Sequence, residues 1–142
     1  MKIFITGCCG FIGFNFANFI AKTNKKIRVV GIDNFSDYYS VNYKKKRLKE
    51  LVQNSNFAFY KVDINQNKKL IKLYKKYHFN CVFHFAAQAG VRYSLINPGT
   101  YIKNNISGFF NVLNLSIQFK VKRLFYASSS SAYGELNKFP LK

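Results

Sequence analysis

Three glycines near the N-terminus have the spacing of a phosphate-binding turn. Gly7, Gly10 and Gly13 occur in the segment TGCCGFIG, between a short apolar segment typical of a strand and a segment with helical periodicity. In such a turn the first glycine permits a tight bend, the second lets a pyrophosphate approach the backbone, and the third lets the helix lie close to the strand. The free N–H groups at the start of the helix then bind the phosphates. The triplet alone is a weak signal, but its position between strand and helix favours a dinucleotide-binding turn.

Acidic residues are scarce, so each acid at a structured position calls for an explanation. The chain has 5 Asp and Glu residues against 23 Lys and Arg, and Asp33 ends the second apolar segment, twenty residues after Gly13. A carboxylate at this position accepts hydrogen bonds from the adenosine ribose hydroxyls and repels a 2′-phosphate, which favours NAD over NADP. Asp63 ends the third apolar segment, where it could either reach the adenine amino group or cap the following helix. The residues alone leave both alternatives open.

Four consecutive serines follow the last apolar segment, in RLFYASSSSAYG. Residues 128–131 could form the wall of a polar site, or they could simply end a strand with hydroxyls that cap the backbone. The local sequence does not decide between the two.

The elements that must position these residues alternate between strand and helix. Parallel neighbours need a crossover connection, and strands without polar alternation are covered on both faces, so the pattern predicts a Rossmann-like, doubly wound parallel sheet of about five strands. The expected order is 3-2-1-4-5, in one dinucleotide-binding domain over residues 1–142. The longest predicted helix starts at Pro98. The predicted strand segments are KIFITG, KIRVVGID, FAFYKVDI, NCVFHFAAQ and KRLFYASSS.

Composition narrows the class of protein further. An apolar content of 49% excludes a disordered chain. The net charge of +18 could attract a polyanion, but outside residues 44–47 the basic residues are spread along the chain, and we expect no nucleic-acid partner. No apolar run reaches the ~18 residues that span a bilayer, so we expect no membrane association.

Three cysteines without framework spacing indicate a reducing, cytoplasmic compartment. We interpret Cys8 and Cys9 as small loop residues and His84 as a core residue, and we expect no metal site.

Taken together, six segments occur in the order of a known family. GCCGFIG, IDNFSDYY, VDI, HFAAQAGVRYS, NNISGFFNVL and YASSSSAYG resemble the extended short-chain dehydrogenase/reductase family, in its sugar-nucleotide epimerase/dehydratase branch. The resemblance covers essentially all 142 residues. It implies an NAD-dependent enzyme that epimerises a UDP-sugar at C4, with UDP-glucuronate and UDP-galacturonate as the expected pair, and a homodimer for the full-length family. A dehydratase or decarboxylase of the same family, or a non-catalytic dinucleotide-binding module, remains the alternative.

The resemblance also implies a role for each matching position. Ser129 would be the catalytic serine that holds the sugar O4, and Asn105 would be structural. Cofactor-binding residues would be Gly7, Gly10, Phe11, Ile12, Gly13, Asp33, Asn34, Asp63, Ile64, Phe85, Ala86, Ala87 and Gln88. Substrate-binding residues would be Gln88, Arg92, Ser128, Ser129 and Ser130.

Two features depart from the family pattern. Cys8 and Cys9 replace the smaller residues that are usual in the glycine loop. The family's catalytic base is the tyrosine of a Tyr-x-x-x-Lys helix, and no tyrosine of this chain is followed four places later by lysine. We therefore expect an N-terminal fragment that binds NAD at most, lacks epimerase activity alone, and leaves the fifth strand as an open sheet edge.

Overall fold

The structure is a computed structural model that describes residues 1–134, and a parallel five-stranded sheet is its centre. The strand order is β3-β2-β1-β4-β5, and all four pairings are parallel, which confirms the predicted topology. The strands are β1 Lys2–Thr6, β2 Arg28–Asp33, β3 Phe57–Lys61, β4 Cys81–His84 and β5 Arg123–Tyr126.

The helices lie on both faces of the sheet. They are α1 Phe11–Thr23, α2 Val41–Leu51, α3 Asn67–Tyr77, α4 Val91–Ile96, α5 Pro98–Tyr101 and α6 Phe109–Gln118. A 3₁₀ turn follows β5 at Ser130–Tyr133. Among the helices of residues 1–134, none is both long enough and apolar enough to cross a membrane.

Alternate residues of β1 face two separate cores. Phe4 packs with Tyr74 and Phe79 on the side of α3 and α6, and all three are buried. Ile3 and Ile5 face the opposite core, on the side of α1 and α2. The sheet is thus covered on both faces, which is why its strands are apolar without alternation.

The region after β4 differs from the prediction in two respects. Val91–Ile96 forms a short helix that was not predicted, since six residues are too few to show helical periodicity. The helix predicted to run on from Pro98 is interrupted by a π-helical segment, Ile102–Gly108. The side chain of Asn105 in this segment hydrogen-bonds to the backbone of Gln88. A local sequence pattern cannot show such a contact between segments that are distant in the chain.

The outer strand β5 has the exposure expected of an open edge. It pairs only with β4 among the described residues, and the side chains of Phe125 and Tyr126 are 48% and 57% exposed. The prediction of an open fifth strand is therefore confirmed for the part of the chain that the structure describes.

Candidate functional site

The glycine turn has the close packing that its three glycines predict. Gly7 has φ of +67°, and a Cβ built there would lie 2.8 Å from the backbone N of Ala86. A Cβ at Gly13 would overlap the carbonyl oxygen of Gly7. At Gly10 the nearest atom is 3.1 Å away, again Gly7 O, and this residue lines the cleft above the turn. Gly7 and Gly13 thus close the turn, while Gly10 leaves its cleft side open to a ligand.

The N-terminus of α1 opens at this turn without a capping side chain. Gly10 is the N-cap residue, the first turn contains no acid, and the earliest helical bond is from Phe14 N to Gly10 O at 2.9 Å. The N–H groups of Phe11, Ile12 and Gly13 precede that bond. The helix dipole and free donors at such an end favour an anion, so the residues present fit a phosphate group.

The carboxylate of Asp33 joins the turn to the end of β2. Its Oδ2 accepts a hydrogen bond from Cys9 N at 3.1 Å, and its Oδ1 accepts one from Phe35 N at 2.8 Å. The residue is only 6% exposed and lines the cleft. Each carboxylate oxygen has a second lone pair, so Asp33 can still accept from a ligand's hydroxyls.

Asp63 lies on the neighbouring side of the cleft and is also fixed by hydrogen bonds. Asn34 donates to its Oδ2 at 2.8 Å, and the backbone N of Asn65 donates to its Oδ1 at 2.7 Å. Burial would raise the pKa of this carboxyl, but the hydrogen bonds from Asn34 and Asn65 and the charge of Lys103 outweigh it and lower the pKa. The N-cap of α3 is Gln66, so Asp63 caps no helix and instead closes a turn.

A hydroxyl–imidazole pair fixes the end of β4 beside the glycine turn. Ala86 N donates to Thr6 Oγ1 at 3.1 Å, and the Thr6 hydroxyl and Nδ1 of His84 share a hydrogen bond at 2.8 Å. Burial lowers the pKa of His84 to about 4, so the ring is neutral at physiological pH. His84 is therefore the core residue that the sequence predicted.

The backbone of Gln88 is fixed from the π-helical segment. Gln88 N donates to Asn105 Oδ1 at 2.8 Å, and Asn105 Nδ2 donates to Gln88 O at 2.9 Å. One side-chain amide thus satisfies both backbone groups of a cleft-lining residue. This geometry agrees with the structural role expected for Asn105.

Ten of the predicted site residues line one cleft at the carboxyl edge of the sheet. Sequence reasoning missed part of the wall formed by the β2–α2 loop and by α2. There Lys44, which is 5% exposed, donates to the carbonyl and hydroxyl oxygens of Ser36 at 2.8 and 2.9 Å. The ten predicted residues are Gly7, Gly10, Asp33, Asn34, Asp63, Ile64, Phe85, Ala86, Ala87 and Gln88. The additional lining residues are Ile32, Ser36, Tyr38, Tyr39, Lys44, Val62, Ala89 and Asn104.

Of the predicted substrate residues, Gln88 lines this cleft, whereas Arg92, Ser128 and Ser129 do not. Ser128 and Ser129 line a second concavity together with Ala132 and Tyr133, beyond the end of β5. Arg92 is exposed on α4. Ser130 begins the 3₁₀ turn, and its side chain lies outside the described part of the structure.

The vicinal cysteines of the turn are buried. The Sγ atoms of Cys8 and Cys9 are 3.8 Å apart, and burial raises the pKa of the Cys8 thiol well above its usual value. Cys8 is therefore a poor nucleophile, since the thiolate is the reactive form. Both side chains are packed in the apolar core on this side of the sheet. Within residues 1–134 no three His, Cys, Asp or Glu side chains come together as potential metal ligands.

Comparison with known proteins extends the resemblance. Residues 4–142 match the family model described as GDP-mannose 4,6 dehydratase. Protein CapI of Staphylococcus aureus is 47% identical over 134 residues, which cover 94% of this chain and 39% of the relative. UDP-glucuronate 4-epimerase of Thermodesulfobacterium geofontis is 44% identical over 129 residues, which cover 91% of this chain and 39% of the relative.

A solved structure agrees with the fold. UDP-glucuronic acid 4-epimerase from Bacillus cereus, in complex with UDP-glucuronic acid and NAD, superimposes with a TM-score of 0.87 at 34% identity. The match covers 97% of this chain and 43% of that one. The chain belongs to the GDP-mannose 4,6-dehydratase family, within the sugar-nucleotide epimerase/dehydratase branch that its sequence resembles. It spans about 40% of the length of the relatives named here.

Proposed function

We propose that this chain is the dinucleotide-binding part of an NAD-dependent enzyme that epimerises UDP-glucuronate to UDP-galacturonate at C4. The observation that carries the proposal is the single cleft in which the open glycine turn meets two fixed carboxylates. Asp33 and Asp63 lie beside a helix N-terminus that suits a pyrophosphate. Phosphates, ribose hydroxyls and adenine are the groups that such a cleft can recognise together.

We assign NAD to this cleft residue by residue. The N–H groups of Phe11, Ile12 and Gly13 would hold the pyrophosphate, and Asp33 would accept from the adenosine ribose. When bound, NAD supplies the redox chemistry, by accepting a hydride from the sugar C4 and returning it. Small residues after β4 leave room for the cofactor against the backbone, and Thr6 keeps that backbone in place. The remaining proposed cofactor-binding residues are Gly7, Gly10, Asn34, Asp63, Ile64, Phe85, Ala86, Ala87 and Gln88.

The serine-lined concavity is proposed to hold the reacting end of the sugar. The Ser129 hydroxyl would donate to and accept from the sugar O4, with Ser128 and Ser130 as neighbours. Gln88 would face the sugar nucleotide from the cleft, and Arg92 would pair with an anionic group of the substrate, because guanidinium binds carboxylate and phosphate bidentately. A tyrosine base with its lysine is not among these 142 residues. We therefore propose that catalysis belongs to the whole protein. We propose that this protein is a homodimer in the cytoplasm.

The choice of UDP-glucuronate follows the relatives. The epimerase of T. geofontis and the B. cereus enzyme are both named for this substrate. A dehydratase or decarboxylase of the same family is the alternative, and the matching family model is itself described as a dehydratase. NMR of UDP-glucuronate incubated with the whole protein separates these reactions, because only epimerisation gives UDP-galacturonate without loss of water or CO₂.

Cofactor binding tests the assignment of Asp33 directly. We expect Asp33→Ala to weaken NAD binding by the chain about 10-fold or more in titration calorimetry, since hydrogen bonds to a charged group are worth about 1.5–3 kcal/mol. Asp33→Asn keeps one acceptor oxygen but removes the negative charge that repels a 2′-phosphate. We therefore expect a smaller difference between the affinities for NAD and NADP in this variant. Asp37→Ala is the matched control, because Asp37 is an exposed acid of the same loop. Unchanged NAD affinity in Asp33→Ala would show that this carboxylate does not bind the cofactor.

A further inference from the structure

Three tyrosines and one glycine connect the two sides of the cleft. Tyr38 belongs to the β2–α2 loop, whereas Gly90, Tyr93 and Tyr101 follow β4. In the sheet, β2 and β4 flank β1 on opposite sides, and the glycine turn follows β1. A contact between Tyr38 and the segment after β4 therefore crosses the space above the turn. We call these four residues the tyrosine clasp.

Ring packing and one tight approach form the tyrosine clasp. The rings of Tyr38 and Tyr93 have centroids 5.0 Å apart at an angle of 54°, and those of Tyr93 and Tyr101 are 6.4 Å apart. The hydroxyl of Tyr101 donates to the carbonyl oxygens of Ala89, at 2.9 Å, and Gly90. Gly90 has φ of +97°, and a Cβ there would overlap the hydroxyl of Tyr38. Only glycine allows Tyr38 to approach this closely.

One residue of the tyrosine clasp, and the neighbour of another, form walls of the cleft proposed to hold NAD. Tyr38 and Ala89 line it together with Gly7, Gly10 and Asp33. A dinucleotide that reaches from Asp33 on the β2 side to the residues after β4 passes through the space that the clasp bridges. With a ligand in that position, the clasp would lie across the route by which the ligand enters and leaves.

The two sides of the clasp differ in how firmly they are held. On the β4 side, Asn105 fixes the backbone of Gln88 and Tyr101 fixes residues 89 and 90. Tyr38 is 44% exposed, and its contact with the far side consists of ring packing and the approach to Gly90. Tyr38 can therefore move away from the β4 side while the hydrogen bonds made there by Asn105 and Tyr101 remain intact.

We propose that Tyr38 acts with Gly90 as a gate that sets how fast the dinucleotide exchanges; this rests on the proposed function of the cleft. A gate slows entry and exit alike, because the same contact has to open for both. A residue that only touches the bound ligand slows exit alone. The two roles therefore give different kinetics.

Stopped-flow binding of NADH, followed by nicotinamide fluorescence, separates these roles. For Tyr38→Ala we expect the association and dissociation rate constants to rise together, by about 2- to 10-fold, the range for loss of one aromatic contact. The dissociation constant should change much less. Tyr38→Phe keeps the ring and should stay near the unsubstituted chain. Tyr43→Ala removes another exposed tyrosine outside the cleft and should change neither rate.

Hydrogen exchange without cofactor supplies a second readout. In Tyr38→Ala we expect faster exchange of the amides of residues 89–93, with the strands β1, β2 and β4 unchanged. Faster exchange throughout the sheet, a rise in dissociation rate alone, or no change in either rate would overturn the gate. Failure of the unsubstituted chain to bind NADH would overturn the proposed function and the gate together. Normal binding with unchanged exchange at residues 89–93 would overturn the gate alone.

Discussion

At the scale of single residues, His84 makes the stability of the chain depend on pH. Its neutral ring shares a hydrogen bond with the Thr6 hydroxyl, and burial lowers its pKa to about 4, from an ordinary value of 6.5. Between these two pKa values, the ring of His84 is protonated in the unfolded chain and neutral in the folded chain. The contribution of His84 is complete above pH 6.5 and is lost as the pH falls toward about 4.

The two histidines of the chain allow a matched test of this effect. We expect the free energy of unfolding, measured by urea titration, to fall by up to about 3 kcal/mol between pH 7 and pH 4 on account of His84. His84→Gln should lose this part of the pH dependence. His78→Gln should retain it, since His78 is exposed. Equal pH profiles for the two variants would contradict the assignment.

Some site residues could be predicted and others could not, for a physical reason. The position of Asp33 in the cleft follows from local sequence, because an acid that ends a parallel strand lies at the carboxyl edge of the sheet, where such clefts form. Lys44 carries no such signal: in sequence it is one cation of a basic run, and only the fold shows that it is buried against Ser36 while Lys45 and Lys46 are exposed. The roles of Ser128 and Ser129 remain predictions, and they lie in a concavity separate from the cleft.

At the scale of elements, the close packing of α1 against the glycine turn depends on Gly13. A Cβ there would overlap Gly7 O, so Gly13→Ala must push the helix away from the turn. We expect a loss of about 1–3 kcal/mol in the free energy of unfolding, as for other overpacked sites, together with weaker NAD binding.

Gly99→Ala is the control for that substitution. Gly99 lies in α5, and a Cβ there would have no atom within 4 Å. Alanine favours helix over glycine by up to about 1 kcal/mol, so this variant should be neutral or slightly more stable in thermal unfolding. Similar losses at both glycines would show that the close approach at Gly13 is not the cause.

The predictability of the elements follows their length. The first helix, Phe11–Thr23, occurs in the segment whose helical periodicity predicted it, because thirteen residues show a clear period and start at the glycine turn. Helix α4 was missed, and the π-helical turn before α6 was not foreseen. Both belong to a region where contacts between Asn105 and Gln88, rather than local periodicity, determine the backbone.

At the scale of the whole molecule, charge opposes folding. The net charge is +18, and in the described part of the chain the one ion pair is the exposed contact of Lys22 with Glu50. Such a surplus destabilises the compact state by self-repulsion. Added salt shortens the screening length, from about 30 Å at 10 mM to about 8 Å at 150 mM.

We therefore expect the melting temperature to rise over this range of NaCl concentration. Replacement of four exposed lysines by glutamine lowers the net charge from +18 to +14, one unit for each, and should reduce the rise. The four lysines are Lys45, Lys46, Lys68 and Lys69. A melting temperature that falls with salt, or a slope unaffected by the four substitutions, would argue against self-repulsion.

The topology of the molecule was the most predictable feature. Parallel strands require crossovers, and crossovers of one hand leave few possible orders. The glycine turn after β1 and the acid at the end of β2 favour the dinucleotide-binding order among them, and β3-β2-β1-β4-β5 is the order observed. The clasp across the cleft was not predictable, because Tyr38 and Tyr93 are brought together only by the positions of β2 and β4 on either side of β1.

The double attachment of Asp33 constrains how cofactor preference could change. The two oxygens that would select the ribose also accept from Cys9 N and Phe35 N, which shape the turn and the loop. A neutral residue that admitted a 2′-phosphate would supply at most one of those acceptors. A switch of cofactor in this lineage would therefore need a second, compensating substitution near Cys9 or Phe35. Cofactor preference and the shape of the turn would therefore have to evolve together, because the side chain of Asp33 determines both.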